Sequence, residues 1–130
     1  MSESPMEIVD LQVVRADNNE VIIRGVNLTL QPGRVFALVG ESGSGKSVTS
    51  LAAMRLLPDG LRISGGRVSV GGQDLFALPE LRMREVRGRR VAMIFQNAMS
   101  ALNPVQTVGR QVAETLRLHT GLRGGRLRER

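Results

Sequence analysis

Within the first thirty residues, apolar segments are separated by short polar ones. Residues 8–14 and 21–23 are apolar enough for strands, and the Asp-Asn-Asn at 17–19 between them has the composition of a turn. Residues 26–30 are apolar at every second position, which is the period of a half-buried strand. Gln-Pro-Gly at 31–33 then favours another turn. The pattern predicts a small antiparallel sheet at the start of the chain.

Two later segments are apolar on both faces. Residues 35–39 and 91–95 have the composition of central strands in a parallel sheet. Residues 48–57 contain no helix breaker and are followed by Pro-Asp-Gly at 58–60, so they predict a helix. The predicted central order is therefore a buried strand, a glycine-rich loop and a helix.

Shorter elements are predicted in the rest of the chain. Residues 67–70 predict a strand between two glycine pairs, and residues 79–86 predict a helix with proline at its first position. Thr107 is a suitable N-cap for a last helix, whose apolar positions recur every four residues from Val108. Gly121 is expected to end that helix.

The composition excludes several classes of chemistry. The 130 residues contain no cysteine, which excludes disulfides, cysteine-ligated metals and thiol catalysis. The one histidine, His119, leaves no multi-histidine metal site, and its place near a predicted helix end suits a surface cation. No apolar run approaches the roughly 20 residues that a membrane-spanning helix needs. The first residues lack a secretory pattern, so the expected location is cytoplasmic.

Positive charge is concentrated in the second half of the chain. Residues 61–130 carry thirteen basic and five acidic side chains, in a protein of net charge +6. Such a surface suits either a polyanionic partner or an arginine-rich, solvated helical face. Every basic residue except Lys46 is an arginine, which makes the position of the one lysine informative.

The sequence at 40–47 matches G-x-x-x-x-G-K-[ST], the pattern of a phosphate-binding loop, here called the P-loop. Its glycines permit a tight curl that directs backbone N–H groups inward, and the following helix points its positive N-terminal end at the same anion. Lys46 supplies a charge for the β- and γ-phosphates, and the Ser47 hydroxyl supplies a magnesium ligand. The predicted nucleotide-binding residues are Gly40, Glu41, Ser42, Gly43, Ser44, Gly45, Lys46 and Ser47.

Around this loop the chain resembles the ATP-binding subunits of ATP-binding-cassette (ABC) transporters, in particular those of the oligopeptide, dipeptide and nickel importers. The resemblance rests on Gly-x-Ser-Gly-x-Gly-Lys-Ser at 40–47 and on the segments 48–58, 71–75, 94–104 and 107–111. It implies an α/β fold, a P-loop NTPase of ABC type. The expected parts are an antiparallel β part at 6–33, a P-loop core at 34–96 that begins the parallel sheet, and the start of a helical subdomain at 97–130.

The same resemblance implies ligands, residue roles and partners. ATP and Mg²⁺ are the implied ligands, and Gln96 stands at the position of the glutamine that contacts magnesium or the attacking water. Gln96 and Lys46 are thus the implied catalytic residues, and Ser47 and Gln96 the implied magnesium ligands. ATP hydrolysis would drive import of a solute, a peptide or nickel, through a membrane permease. The implied partners are that permease, a second ATPase subunit and, indirectly, a solute-binding protein, with no nucleic acid. The subunit would lie peripherally on the cytoplasmic face of the inner or plasma membrane.

Several family elements are missing from the 130 residues. We find no Walker B carboxylates, no Leu-Ser-Gly-Gly-Gln signature and no switch histidine, all of which follow the position of Arg130 in the family. We therefore expect the first half of a cassette, cut within its helical subdomain, and hydrolysis by this chain stays open. The family usually has an aromatic residue near Asp17 that stacks on adenine, whereas this chain has neither Trp nor Tyr.

Two other functions stay open at this point. One is a non-catalytic fragment that only binds nucleotide. The other is an ABC-like ATPase that acts on DNA, suggested by the positive second half, which predicts salt-dependent DNA binding. A guanine-specific GTPase is disfavoured, because its Asn-Lys-x-Asp motif needs a second lysine.

Overall fold

The computed structural model describes residues 5–96 and 102–120 of the chain, which divides into two compact units, Met1–Met83 and Arg84–Arg130. No described helix has the length and apolar character needed to cross a membrane. In chain order the elements are β1 (Met6–Arg15), β2 (Val21–Leu30), α1 (Lys46–Ala53), β3 (Leu61–Val70), β4 (Gln73–Asp74), α2 (Glu80–Val86) and α3 (Val108–Thr120).

The first unit is built on an antiparallel sheet in the order β2-β1-β3-β4. The predicted antiparallel sheet is thus confirmed. The two short strands predicted at 21–23 and 26–30 form the single strand β2, and β3 begins at Leu61 instead of residue 67. Gly25 in β2 and Gly65 and Gly66 in β3 are the reason that the sequence did not predict each strand as one continuous element. Glycine is depleted in strands and marks irregular pairing when it occurs there.

The turn between β1 and β2 confirms the prediction at 17–19. The Arg15 N–H donates to the Glu20 carbonyl over 2.9 Å, which closes the hairpin, and the Glu20 N–H donates to Asn18 Oδ1 over 2.9 Å. Asn19 has a φ of 59°, a left-handed conformation that asparagine tolerates better than most residues. The turn-forming residues at 17–19 therefore determine where the chain reverses direction between β1 and β2.

The core of the first unit lies between α1, the segment around β4 and one face of the sheet. Large side chains from β1, β3, the segment after β4 and α2 are fully buried, and burying each one stabilises the fold by about 1.5–3 kcal/mol. They are Leu11, Val13, Val68, Leu75 and Met83. α1 packs on β1 and β2 through Ala52 and Ala53, both buried. Small side chains on this helix allow its backbone to approach the sheet closely.

α1 confirms the helix predicted at 48–57, although it ends four residues earlier than predicted. The Leu56 N–H donates to the Leu51 carbonyl over 2.9 Å and the Arg55 N–H donates to the Ala52 carbonyl over 3.0 Å. This pair of bonds is a Schellman motif, which satisfies the last carbonyls of a helix. Arg55 takes the left-handed position, with a φ of 55°. Glycine normally occupies that position, so the residue type at 55 does not indicate that the helix ends there.

The strands predicted at 35–39 and 91–95 are wrong for the described structure. Neither segment joins a ladder, apart from an isolated parallel bridge between Arg87 and Val91. Val35 is 99% exposed and Ile94 is 95% exposed. A strand is stabilised by hydrogen bonds to a neighbour, and no strand within 5–96 or 102–120 pairs with these segments. Their apolar composition is therefore not matched by burial in the part of the chain that is described.

The second unit contains the end of α2, a turn and α3. Thr107 caps α3 as predicted, since its Oγ1 accepts a hydrogen bond from the Arg110 N–H over 3.4 Å. The helix predicted at 79–86 is also confirmed. His119 is half-buried, not a simple surface cation, because its ring lies against Gly88, where a Cβ would come within 2.6 Å of Nε2. The predicted end of α3 at Gly121 lies outside the described residues.

Candidate functional site

The P-loop is a curled connection that leads directly into α1. Residues 42–43 form a turn, and the helix begins at Lys46. Gly43 and Gly45 have φ values of 81° and 92°, in the region that residues with a side chain rarely adopt. The motif therefore has glycine where the observed backbone requires it.

The N-terminus of α1 is open to a ligand. Gly45 is the N-cap residue, no side chain caps the helix, and no acidic residue lies in its first turn. The first N–H groups of a helix have no carbonyl partner within that helix, and they carry its positive dipole end. Ser47 is exposed in this first turn. An anion in front of α1 would thus meet both hydrogen-bond donors and positive potential.

Lys46 folds back across the loop. Its Nζ donates to the Gly40 carbonyl over 2.7 Å, to the Glu41 carbonyl over 2.6 Å and to Ser44 Oγ over 3.3 Å. An ammonium group has three N–H donors, so loop oxygens occupy all of them. A phosphate that bound here would accept at least one of these hydrogen bonds in place of a loop oxygen.

Ile23 supports the loop from the sheet, a role that the sequence prediction missed. A Cβ built on Gly45 would overlap Ile23 Cδ1, so β2 and the N-cap of α1 are in direct contact. Ile23 is buried and pairs across the sheet with Val13. The loop also packs on itself, because a Cβ on Gly40 would come within 2.6 Å of Ser44 Oγ. The apolar run at 21–23 indicated a strand, but not which element Ile23 touches.

An ion pair occupies the β1–β2 turn in the same unit. Arg15 donates from Nε to Asp17 Oδ1 over 3.2 Å and from Nη2 to Asp17 Oδ2 over 3.1 Å, and its Nε lies 3.8 Å from Glu20 Oε2. The hydrogen bond from Arg15 lowers the pKa of Asp17, and the same bond raises the pKa of Arg15. The Asp17 carboxylate is therefore paired with the Arg15 guanidinium group.

Gln96 is the remaining predicted site residue. Gln96 is exposed and belongs to the second unit. Residues 97–101, part of the segment that resembles the importers, lie outside the described residues. Within 5–96 and 102–120 no cluster of three His, Asp or Glu side chains is arranged to hold a metal ion by itself.

The observed loop fits the triphosphate end of a nucleotide. Uncapped helix amides, a glycine curl and a single ammonium group give donors and positive charge in one place. The exposed Ser47 hydroxyl of the first helical turn suits a hard cation such as Mg²⁺ that accompanies phosphates, whereas Thr49 is buried and donates to the Gly45 carbonyl. The geometry does not by itself distinguish among the many proteins that carry such a loop.

Comparison with known proteins makes that distinction. Residues 23–129 match the family model of the ABC transporter. The chain belongs to the ABC transporter family. This confirms the resemblance drawn from the sequence, and the antiparallel sheet with its few helices agrees with the N-terminal part of an ABC-type ATPase.

Individual members of the ABC transporter family extend the match. The chain is 46% identical over 127 residues to a protein of Brucella abortus named as a peptide import ATP-binding protein, covering 96% of this chain and 38% of that one. A Sinorhizobium fredii protein named as a peptide ABC transporter ATP-binding protein is 52% identical over 96 residues, which is 73% of this chain and 29% of that one. A peptidoglycan transport ATP-binding protein of Agrobacterium fabrum is 41% identical over 96% of this chain and 23% of its own. The chain thus spans well under half the length of these relatives.

Proposed function

We propose that this chain is the nucleotide-binding part of an ATP-binding subunit that drives peptide import. The P-loop carries the proposal, because its glycine curl, uncapped helix and Lys46 are suited to a triphosphate. The names of two of the relatives, which refer to peptide import or to a peptide ABC transporter, support peptide as the cargo. Nickel, the other cargo considered from the sequence, has no such support.

Each residue of the proposed site has a distinct part. The amides of residues 43–47 would hold phosphate oxygens, and Lys46 would neutralise charge on the β- and γ-phosphates. The Ser47 hydroxyl and the Gln96 amide oxygen would hold Mg²⁺, which screens the phosphate charge when it is bound. Gln96 would also orient the attacking water. Positioning and charge stabilisation supply most of the catalysis in phosphoryl transfer. The roles proposed here for Lys46, Ser47 and Gln96 are of these two kinds.

The partners and location belong to the same proposal. A subunit of this kind would bind a transmembrane permease, pair with a second ATPase subunit and act indirectly with a solute-binding protein. It would lie peripherally on the cytoplasmic face of the inner or plasma membrane. Residues 6–33, 34–96 and 97–130 would form its antiparallel part, its P-loop core and the start of its helical subdomain.

Titration calorimetry with Mg-ATP tests the proposal. Removing a charged hydrogen-bond donor typically costs about 1.5–3 kcal/mol, so Lys46→Ala should weaken ATP binding by at least about tenfold. Arg67→Ala is the control, because it removes an exposed positive charge from β3 and leaves the loop intact. Equal affinities for wild type and Lys46→Ala, or no heat of binding at all, would contradict the proposal.

A hydrolysis assay separates the proposal from its main alternative. Phosphate release by the wild-type chain above the level of Lys46→Ala supports an ATPase. Binding without that release supports a non-catalytic nucleotide-binding function for these 130 residues.

A further inference from the structure

We propose that Asn27 is a positioning residue of the P-loop. Its side chain holds two neighbouring β-bulges together, one in β1 and one in β2, and these bulges direct Ile23 at Gly45. The inference rests on the proposed function, since the loop that Ile23 supports is the proposed triphosphate site. It assigns a role to an exposed residue of β2 that lies outside the loop itself.

The pairing of β1 with β2 contains two bulges that cancel each other. Residues 9–10 of β1 lie together opposite the single residue Asn27 of β2. Next along the pair, residues 24–25 of β2 lie together opposite a single residue of β1. Two residues facing one is the definition of a β-bulge. Val13 then pairs with Ile23 in the same register that joins the two strands before the first bulge.

The bulges decide which side chain of β2 reaches the P-loop. In the C-terminal half of β2, positions 26, 28 and 30 are partly buried and the residues between them are exposed. Uninterrupted alternation would continue this face to Arg24 and turn Ile23 outward, because a shift of one residue moves every side chain to the other face. With the bulge, Ile23 is buried and Arg24 is exposed. An arginine in the place of Ile23 would put a cation at the positive end of α1, which is unfavourable.

The amide group of Asn27 bonds to both bulges. Its Oδ1 accepts a hydrogen bond from the Asp10 N–H over 2.9 Å, and its Nδ2 donates to the Gly25 carbonyl over 3.0 Å. Asp10 has a φ of 48° and Gly25 has a φ of 66°. Both values lie in the left-handed region, which is uncommon for residues other than glycine. One side chain thus holds the left-handed residue of each bulge.

Glycines on both neighbouring strands leave room for the bulge in β1. A Cβ built on Gly66 of β3 would overlap the Asp10 carbonyl and the Leu11 Cα. On the other side, a Cβ built on Gly25 would lie 3.0 Å from Asp10 Oδ1. Both strands that pair with β1 are therefore fitted to the bulge at Asp10, so its position along β1 is fixed.

Titration calorimetry with Mg-ATP and with inorganic tripolyphosphate tests the effect on the P-loop. Asn27→Ala removes both hydrogen bonds and should weaken binding of both ligands by about threefold to tenfold, because the loop holds the phosphates that they share. Asp10→Asn should bind within about twofold of wild type, because asparagine also tolerates the left-handed backbone. Asp10→Ala lacks that tolerance and should lose affinity as Asn27→Ala does.

Nuclear magnetic resonance reports the position of Ile23 directly. The Ile23 δ1 methyl group lies against Gly45, so a nuclear Overhauser effect (NOE) between this methyl and the Gly45 α protons is expected in wild type. The NOE should be lost in Asn27→Ala and kept in Asp10→Asn. Loss of stability alone would not remove it from a folded variant.

Ile8→Val is the matched control. It removes a buried methyl group from β1 on the other side of the bulges and leaves both of them intact. This variant should lower the free energy of unfolding, yet keep the NOE and both ligand affinities at their wild-type values. All variants are compared at a temperature at which circular dichroism shows them folded. A misfolded Asn27→Ala is replaced by Asn27→Val, which favours a strand and makes no side-chain hydrogen bond.

Each outcome decides the inference. Loss of the NOE together with an equal loss of affinity for both ligands in Asn27→Ala supports it. A retained NOE or unchanged affinities in Asn27→Ala, a loss for Mg-ATP that tripolyphosphate does not share, or an equal loss in Ile8→Val would each overturn it. Failure of the proposed function is distinct, because wild type would then bind neither ligand, while the NOE would still show whether Asn27 directs Ile23 at Gly45.

Discussion

The contact between Gly45 and Ile23 predicts a specific coupling between the P-loop and the sheet. Gly45→Ala introduces a methyl group that overlaps Ile23 Cδ1, in a backbone with a φ of 92°. The left-handed backbone costs a non-glycine residue about 1–2 kcal/mol, and overpacking costs about 1–3 kcal/mol more. We therefore expect Gly45→Ala to lower the free energy of unfolding by about 2–5 kcal/mol.

Gly33→Ala is the matched control for the backbone cost. Gly33 has a φ of 67°, and a Cβ built there would meet nothing within 4 Å. Gly33→Ala should therefore lose only the backbone part, about 1–2 kcal/mol. For a chain of this size 1 kcal/mol shifts the melting temperature by about 3–6 °C, so calorimetry or a thermal melt resolves the difference between the two variants.

A double-mutant cycle with Ile23→Val isolates the overlap. Valine lacks Cδ1, the atom that the new methyl group would meet, so Gly45→Ala should cost about 1–3 kcal/mol less in the Ile23→Val background. Ile23→Val alone should cost about 0.5–1.5 kcal/mol. Additive effects in the cycle, or equal losses for Gly45→Ala and Gly33→Ala, would refute the contact as the cause.

Two further predictions concern side chains that join separate segments. Arg55 donates to the Leu75 and Leu78 carbonyls over 3.3 and 2.6 Å, so Arg55→Ala should cost about 1.5–3 kcal/mol in chemical denaturation. Arg55→Gly should lose about 1 kcal/mol less, because glycine is unstrained at a φ of 55°, and the reverse order would contradict this account. Asp17, whose pKa the Arg15 hydrogen bond lowers, should titrate below 3.8 by carboxyl NMR and move upward in Arg15→Ala. The ion pair then stabilises the turn above that pH and loses its effect as acid protonates Asp17, and an unmoved midpoint would refute the pairing.

Local sequence signals predicted the hairpin and the helices correctly, and the glycines of the P-loop motif fit the left-handed backbone observed at Gly43 and Gly45. The turn residues at 17–19 and the Thr107 cap make hydrogen bonds to residues close by in the chain. The local sequence was therefore enough to predict them. The stop of α1 at Arg55 was missed because a non-glycine residue takes the left-handed position there. The Arg55 side chain donates hydrogen bonds to the Leu75 and Leu78 carbonyls, some twenty residues away in the chain, and the local sequence does not reveal such distant contacts.

The apolar segments at 35–39 and 91–95 show the limit of composition as a guide to strands. A run of valine, leucine and isoleucine indicates that a segment is suited to burial, whereas a strand also needs a hydrogen-bonded neighbour. Whether that neighbour is present is a property of the whole sheet. In the candidate site the same limit applies to Ile23, because an apolar run indicates a strand but not the element that the strand meets.

The internal hydrogen bonds of Lys46 have a consequence for how fast the loop can capture a ligand. Because Nζ ties Gly40, Glu41 and Ser44 together, the curl holds its shape before any anion arrives. Ordering a backbone residue costs about 1–2 kcal/mol, and a preorganised loop avoids that cost at the moment of association. Under the proposed function, phosphate binding would then need only an exchange of hydrogen bonds at one ammonium group, without folding of the surrounding chain.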